Sequence, residues 1–378
     1  MPFSLTRRSF AGTLGLAAGA ALIETPFART LEAAAARTPR PADAILLNSN
    51  ENPYGPSPKA LEAYVGAGRL ANRYPDALED EVRAAIAKLH GVAADQVVLG
   101  CGSSEVLQMA DEAFAGPGRR VVAAEPTFEA VLLYAKAIRA DGTKVPLRAD
   151  FRHDLPKMSA AAAEGAGLVY VCNPNNPTGT IVTGDELSAF VASVPPAVTI
   201  LVDEAYHHFV EDPRYRSAAE LLGTAPNVVV ARTFSKIYGM AGLRLGYAVG
   251  SKERIAAMAD FASFSNANAG VLAAALASLA DPDLVPRQRK LVNDTRRALV
   301  EEMKKQGRRT IPSETNFVMI DVGGDVAPVI AAFRKRSLLV GRKFHSLPNW
   351  LRVTIGKPAE MQAFAAALAE IVPAKAAA

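Results

Sequence analysis

The chain has 378 residues, and several things are scarce in it. It has two cysteines, Cys101 and Cys172, far apart and outside any CxxC or Cys/His spacing, which argues against a disulfide framework and a cysteine metal site. Its five histidines are scattered, with His207-His208 the single adjacent pair, so no metal ligand cluster is expected. The net charge of +4 is small for this length and gives nucleic-acid binding little electrostatic footing. The one dense basic run, Arg287, Arg289, Lys290, Arg296 and Arg297, is interleaved with Leu291, Val292 and Leu299 and reads as a solvated helix face. No GxGxxG follows the first strand, where the run is Gly100-Cys101-Gly102-Ser103-Ser104-Glu105; a nicotinamide dehydrogenase is thereby excluded. No internal repeat is visible, and no apolar stretch is long enough for a stable membrane span.

What is present begins with an unusual N-terminus. Thr6-Arg7-Arg8-Ser9-Phe10 leads into an uncharged stretch from Ala11 to Ile23, the pattern of a twin-arginine export signal, so a periplasmic destination is expected. That route carries folded proteins, which would suit an enzyme that takes up its cofactor before export. A linker rich in Ala, Pro and Arg follows from Phe27 to Asp43. The expected division is signal and linker at 1–43, an arm at 44–59, a large domain at 60–265 and a smaller domain at 266–378. Half of the residues are hydrophobic, and a chain of this size buries a full core without staples.

Between residues 60 and 265, short apolar runs alternate with helical patterns. Gln96–Gly100, Arg119–Glu125, Leu168–Cys172, Val198–Asp203, Asn227–Arg232 and Leu245–Gly250 read as strands. Several are hydrophobic without alternation, which suits strands covered on both faces of a mostly parallel sheet. Leu78–Leu89, Glu105–Phe114, Glu129–Arg139 and Asp185–Val194 read as amphipathic helices between them, so the fold class is α/β. Past residue 270 a long helical region broken at Asp281-Pro282 precedes a strand at Asn316–Asp321. A helix at Val326–Arg336, strands at Leu338–Gly341 and Leu351–Ile355, and a helix at Glu360–Ile371 then suggest a smaller α+β domain.

Ligands of open α/β sheets gather at the carboxyl ends of strands, so the residues just past each strand carry the chemistry. After the first comes Gly102-Ser103-Ser104, a turn opening into a helix, whose free N–H groups suit a phosphate. Such turns also serve plain chain reversal and capping. After the third comes Asn173-Pro174-Asn175-Asn176-Pro177-Thr178-Gly179, denser in Asn and Pro than a plain loop needs. After the fourth comes Asp203-Glu204-Ala205-Tyr206, an acid at the active edge of the sheet or a helix cap. After the fifth comes Thr233-Phe234-Ser235-Lys236, with Gly242-Leu243-Arg244 eight residues on. A lysine among hydroxyls in an apolar, glycine-rich stretch is unusual; desolvated, its amine becomes a nucleophile able to form a Schiff base.

Asn-Asn-Pro-Thr-Gly, Asp-Glu-Ala-Tyr and Ser-Lys with Gly-Leu-Arg, in this order, resemble the fold-type-I aminotransferases, and most nearly the histidinol-phosphate aminotransferase group. Asn50-Glu51-Asn52-Pro53-Tyr54-Gly55-Pro56, Arg73-Tyr74-Pro75-Asp76 and Leu351-Arg352-Val353-Thr354-Ile355-Gly356 are similar to that group too. The resemblance spans roughly residues 45 to 372. It implies a large domain with a mostly parallel sheet, a small α+β domain, and pyridoxal 5'-phosphate as cofactor. Lys236 is implied to form the Schiff base and then act as the proton-transfer base. Asp203 is implied to pair with the pyridinium nitrogen, and Asn176 and Tyr206 to bond the ring's phenolic oxygen. Phe128, where many relatives have Tyr, would stack on the ring. Gly102, Ser103, Ser104, Ser235 and Arg244 would hold the phosphate. Tyr74 resembles the residue that reaches the phosphate from a neighbouring subunit, which implies a homodimer with shared sites. Asn52, Tyr54, Arg342 and Arg352 are implied substrate residues, Arg352 as a bidentate carboxylate clamp.

The chain departs from the group ahead of Asn50, where Thr38-Pro39-Arg40-Pro41-Ala42-Asp43 lacks the tyrosine and glycine of a segment that recognises the substrate's phosphate. A shifted or broader specificity, including aromatic amino acids with 2-oxoglutarate as acceptor, is therefore expected. The same scaffold could instead house a decarboxylase of the threonine-phosphate type or a non-catalytic exported protein. Product analysis separates the first, and loss of cofactor binding marks the second.

Overall fold

The computed structural model describes residues 43–373; the twin-arginine pattern lies outside the described residues, as does nearly all of the linker. Chain order gives strand β1 (Ile45–Leu47), helices α1 (Pro58–Gly66) and α2 (Asp76–His90), β2 (Val97–Gly100), α3 (Ser103–Phe114) and β3 (Arg120–Glu125). Next come α4 (Ala130–Ala137), β4 (Gly142–Pro146), α5 (Leu155–Ala162), β5 (Ala166–Cys172), α6 (Gly184–Ser193), β6 (Thr199–Asp203) and β7 (Val228–Thr233). The remainder is β8 (Gly246–Gly250), α7 (Lys252–Ala259), α8 (Ala269–Leu279), α9 (Leu284–Lys305), β9 (Thr310–Ile311), β10 (Phe317–Asp321), α10 (Val326–Lys335), β11 (Leu338–Val340), β12 (Trp350–Thr354) and α11 (Pro358–Ile371).

Seven strands form the central sheet in the order β2-β8-β7-β6-β5-β3-β4. All neighbours are parallel except β8, which runs antiparallel to both β2 and β7. Both faces are buried, and alternate residues divide between them. Val169, Val171, Ile200, Val202, Val228 and Val230 face the larger core. Leu168, Tyr170, Leu201, Val229 and Ala231 face the smaller one. That division explains the unbroken apolar runs, since a strand covered on both sides has no polar face to alternate with. A three-stranded sheet, β12-β10-β9, and the parallel pair β1-β11 complete the strands. β1 therefore ties the N-terminal arm to the C-terminal part of the chain, and the described residues from Ile45 onward cluster as one compact unit.

Helix ends follow ordinary signals. Ser57 caps α1 with Pro58 at its first position, Thr183 and Glu186 form a capping box on α6, and Gly91 closes α2 in the left-handed region. The break expected at Asp281-Pro282 separates α8 from α9. The basic run on α9 is not wholly solvated. Arg296 is buried and donates to the Thr315 carbonyl at 2.7 Å, and Arg289 donates to that of His208 at 2.5 Å; Lys290 and Arg297 remain on the surface. Among the described residues no single helix is long and apolar enough to cross a membrane.

Candidate active site

The carboxyl ends of β2, β3, β5, β6 and β7 meet at one edge of the sheet and enclose a cavity of about 290 Å³. Because β8 runs the other way, Arg244, two residues before it, arrives at the same edge. This topology gathers groups that the sequence scatters over some 300 positions.

At one end of the cavity, Gly102 stands at the N-cap of α3 with φ +77°, and no side chain caps the helix. A side chain at Gly102 would collide with the Arg244 guanidinium, and one at Gly246 with the Ser103 amide. Two glycines thus bring free helix N–H groups and a guanidinium together, with the Ser103, Ser104 and Ser235 side chains beside them. Arg244 itself is held by the carbonyls of Ala241 (2.9 Å) and Cys101 (3.4 Å) and has φ +67°, a costly conformation for a residue with a side chain. The donor set and the cradle match a phosphate monoester.

In the middle lie Asp203, Lys236 and Tyr206. Asp203 is buried; it accepts from the Tyr170 hydroxyl at 2.8 Å and from the Ala205 amide at 3.0 Å. Burial raises its pKa, against the pull of Tyr170 and Lys236. Both donors are neutral, so a protonated ring nitrogen placed against Asp203 would add the charge-assisted bond that a buried carboxylate favours. The Lys236 amine reaches the Ser49 carbonyl at 3.4 Å and lies 5.7 Å above the Tyr206 ring. Burial, with Arg352 nearby, pulls its pKa down to about 8. A usable fraction is therefore the neutral, nucleophilic amine. Tyr206 accepts hydrogen bonds from Asn50 (3.0 Å) and Asn176 (3.4 Å), which leaves its own proton for an acceptor in the cavity. Burial pushes its pKa up, so it acts as a donor.

At the far end Arg352 is buried and fixed by the Asn176 side chain (2.6 Å) and the Asn48 carbonyl (3.0 Å), while its Nε has no partner. Burial lowers its pKa to about 10, still well above neutrality. A buried guanidinium with an unused donor suits a carboxylate. Arg342 stands at the mouth, 2.8 Å from Glu129 and over the Phe344 ring at 4.4 Å. Phe128 lines the same cavity.

Three expected residues are elsewhere. Asn52 does not line the cavity; buried, it donates to the Ile237 carbonyl (3.1 Å) and to Gln288 (3.2 Å) and so braces the loop after Lys236. Tyr54 packs half-buried against the larger core, its amide bonded to Asn52. Tyr74 is 83% exposed and does not line its own chain's cavity. Sequence reasoning missed Tyr170, Asn50, Phe344 and Glu129. Tyr170 sits in an apolar strand, where a hydroxyl gives no signal, and the Asn50 side chain is aimed by its own left-handed backbone (φ +55°).

A phosphate cradle, a buried acid, a depressed lysine and a carboxylate clamp, lined up along one edge of a mostly parallel sheet, define a pyridoxal-phosphate enzyme of fold type I. When bound, the cofactor supplies an electron sink for the substrate's α-carbon. The residues that line the cavity fit that group: Ser103, Ser104, Ser235 and Arg244 would hold its phosphate, Asp203 would keep its ring nitrogen charged, Tyr206 would donate to it, and Lys236 Nζ would move the proton. Comparison makes the assignment particular. The family described as aminotransferase class I and II matches residues 42–368. A histidinol-phosphate aminotransferase of Symbiobacterium thermophilum is 42% identical over 86% of this chain and 90% of its own. Another of Moorella thermoacetica is 38% identical over 87% and 86%. The crystal structure of the Sinorhizobium meliloti histidinol-phosphate aminotransferase in complex with pyridoxal-5'-phosphate superposes with a TM-score of 0.83 at 26% identity, covering 94% of this chain and 98% of that one. The chain belongs to the class I and II aminotransferases: it is a pyridoxal-phosphate-dependent aminotransferase of the histidinol-phosphate aminotransferase group.

Proposed function

We propose that this aminotransferase takes its amino group from histidinol phosphate or from aromatic amino acids and passes it to 2-oxoglutarate. The observation that carries this reading is the pair of arginines at the cavity's far end and mouth, with Phe344 between them: Arg352 lies 5.3 Å from its ring and Arg342 4.4 Å. A flat side group lies beside the guanidinium that covers Phe344, a distal anion meets Arg342, and the carboxylate of an amino or oxo acid meets Arg352. The similarity to histidinol-phosphate aminotransferases supports the phosphate donor, and the departures at Thr38–Asp43 support the wider range. Steady-state assays across histidinol phosphate, Phe, Tyr and Leu are expected to place histidinol phosphate and the aromatic donors within about a hundredfold in kcat/KM, the span one pocket achieves without dedicated rejection. A preference for histidinol phosphate of several decades would overturn the broad reading.

The working unit is proposed to be a homodimer in which Tyr74 serves the partner's phosphate cradle. Its exposure supports this, as does the exposure of Val65 (76%) and Leu133 (62%). We further propose export by the twin-arginine route, on the strength of Arg7-Arg8 and the uncharged stretch to Ile23. Cell fractionation of the full chain and of an Arg7→Lys/Arg8→Lys variant tests it. The native chain is expected in the periplasm and the variant in the cytoplasm, and equal distribution of the two would overturn the export proposal.

A further inference from the structure

We infer that Glu129 is a specificity-determining residue, whose carboxylate stands in at Arg342 for the distal anion of a substrate. The inference deepens the substrate reading above and is tested so that the two fail separately.

Among the described residues four cationic side chains line the cavity, and three are committed. Lys236 is at the reaction centre, Arg244 is tied to Ala241 and Cys101, and Arg352 to Asn176 and Asn48. Arg342 is different. Its side-chain bonds are a contact with the adjacent Lys343 carbonyl (3.3 Å) and the ion pair with Glu129 at 2.8 Å. Glu129 follows β3 and Arg342 follows β11, so the pair closes the mouth from opposite sides. Both side chains are about half exposed, 52% for Arg342 and 55% for Glu129. A pair in such surroundings is held weakly and exchanges readily.

Two consequences follow for a substrate. An uncharged or aromatic side group leaves the pair intact, with Arg342 still over Phe344, so no guanidinium loses its partner when water is expelled. A phosphate or carboxylate must displace Glu129 from Arg342 and then stand close to a second negative charge. Glu129 therefore lowers affinity for anionic side groups and preserves it for neutral ones, which allows one cavity to take both. The choice rests on charge at the mouth and not on the reacting atoms.

The test compares substrates that differ in distal charge: 2-oxoglutarate with pyruvate as acceptors, and histidinol phosphate with phenylalanine as donors. Glu129→Gln is expected to raise the kcat/KM ratio of anionic to neutral substrate by about fivefold, the scale of one exposed ion pair, and chiefly through KM. Added salt is expected to shrink the change. Glu129→Asp, which keeps the charge, is expected to retain the native preference. In an Arg342→Gln background the Glu129→Gln effect is expected to shrink, because competition for that guanidinium is gone and only direct repulsion of the anion remains. An unchanged ratio overturns the inference, and so does an equal loss of kcat for both members of each pair. If neither proposed donor reacts yet the acceptor ratio, read on enzyme loaded with pyridoxamine phosphate as the amino source, shifts, the substrate reading fails and Glu129 keeps its role. If the donors react and neither ratio moves, only the Glu129 inference fails.

Discussion

Replacing Lys236 with alanine is expected to lower kcat/KM by at least about 10⁴-fold, because one side chain supplies both the nucleophile and the proton-transfer base. The geometry gives that amine no substitute. Its nearest bonded partner is a carbonyl at 3.4 Å, and among the described residues no second lysine lines the cavity. Lys236→Arg separates chemistry from charge: it restores a cation beside Asp203 but cannot shed a proton near neutrality. Both variants are expected to lose the visible absorption band of the protein–cofactor Schiff base and the mass adduct left by borohydride reduction. Recovery of activity in Lys236→Arg would show that only charge matters there. The same variant tests subunit sharing. Mixed with Tyr74→Ala subunits, Lys236→Ala subunits form hybrids holding one complete site if Tyr74 serves the partner, and activity should return. If mixing restores nothing, Tyr74 acts within its own chain or not at all.

Much of this site was legible in the sequence because a parallel sheet turns order along the chain into proximity in space. Asp203, Asn176, Ser103, Ser104 and Lys236 each follow an apolar run, and each lines the cavity. Arg244 was placed by resemblance alone. It precedes its strand, and only the reversed direction of β8 brings it to the same edge. Strand β4 escaped notice because Gly142–Pro146 lies at the sheet's edge and is mostly exposed, with no apolar run to mark it. Helix α5 escaped because its Ala-rich sequence carries a weak pattern, although Asp154 caps it and Pro156 lies in its first turn. Asn52 shows the reverse error. Its motif was recognised, but a buried amide that braces the Ile237 carbonyl and a substrate ligand look alike in sequence. Glu129 gave no signal because its importance depends on Arg342, which approaches from more than 200 positions away.

Arg232→Ala is expected to destabilise the folded chain by about 3–5 kcal/mol, since it strands a buried carboxylate. Arg232 and Glu204 pair at 2.8 Å with side-chain exposures of 7% and 0%. Glu204 also accepts from Ser217 (2.8 Å) and from the Ala218 amide (2.7 Å), so the acid is saturated only while every donor stays in place. The deeper reason to keep such a pair lies one residue away, since Glu204 follows Asp203 directly. The pair pins the turn that aims Asp203 at the cavity and Tyr206 at Asn50 and Asn176. Loss of Arg232 should therefore appear twice, as a denaturation midpoint lowered by roughly 5 °C and as weaker retention of pyridoxal phosphate on dialysis. The double variant Arg232→Met/Glu204→Leu separates the two effects. Without an unpaired buried charge it should regain most of the stability, yet its turn lacks the ionic anchor and its cofactor affinity should stay below that of the native chain. If Arg232→Ala melts within about 1 °C of the native protein, the pair carries no such role. If the double variant binds cofactor as tightly as the native chain, packing alone positions Asp203.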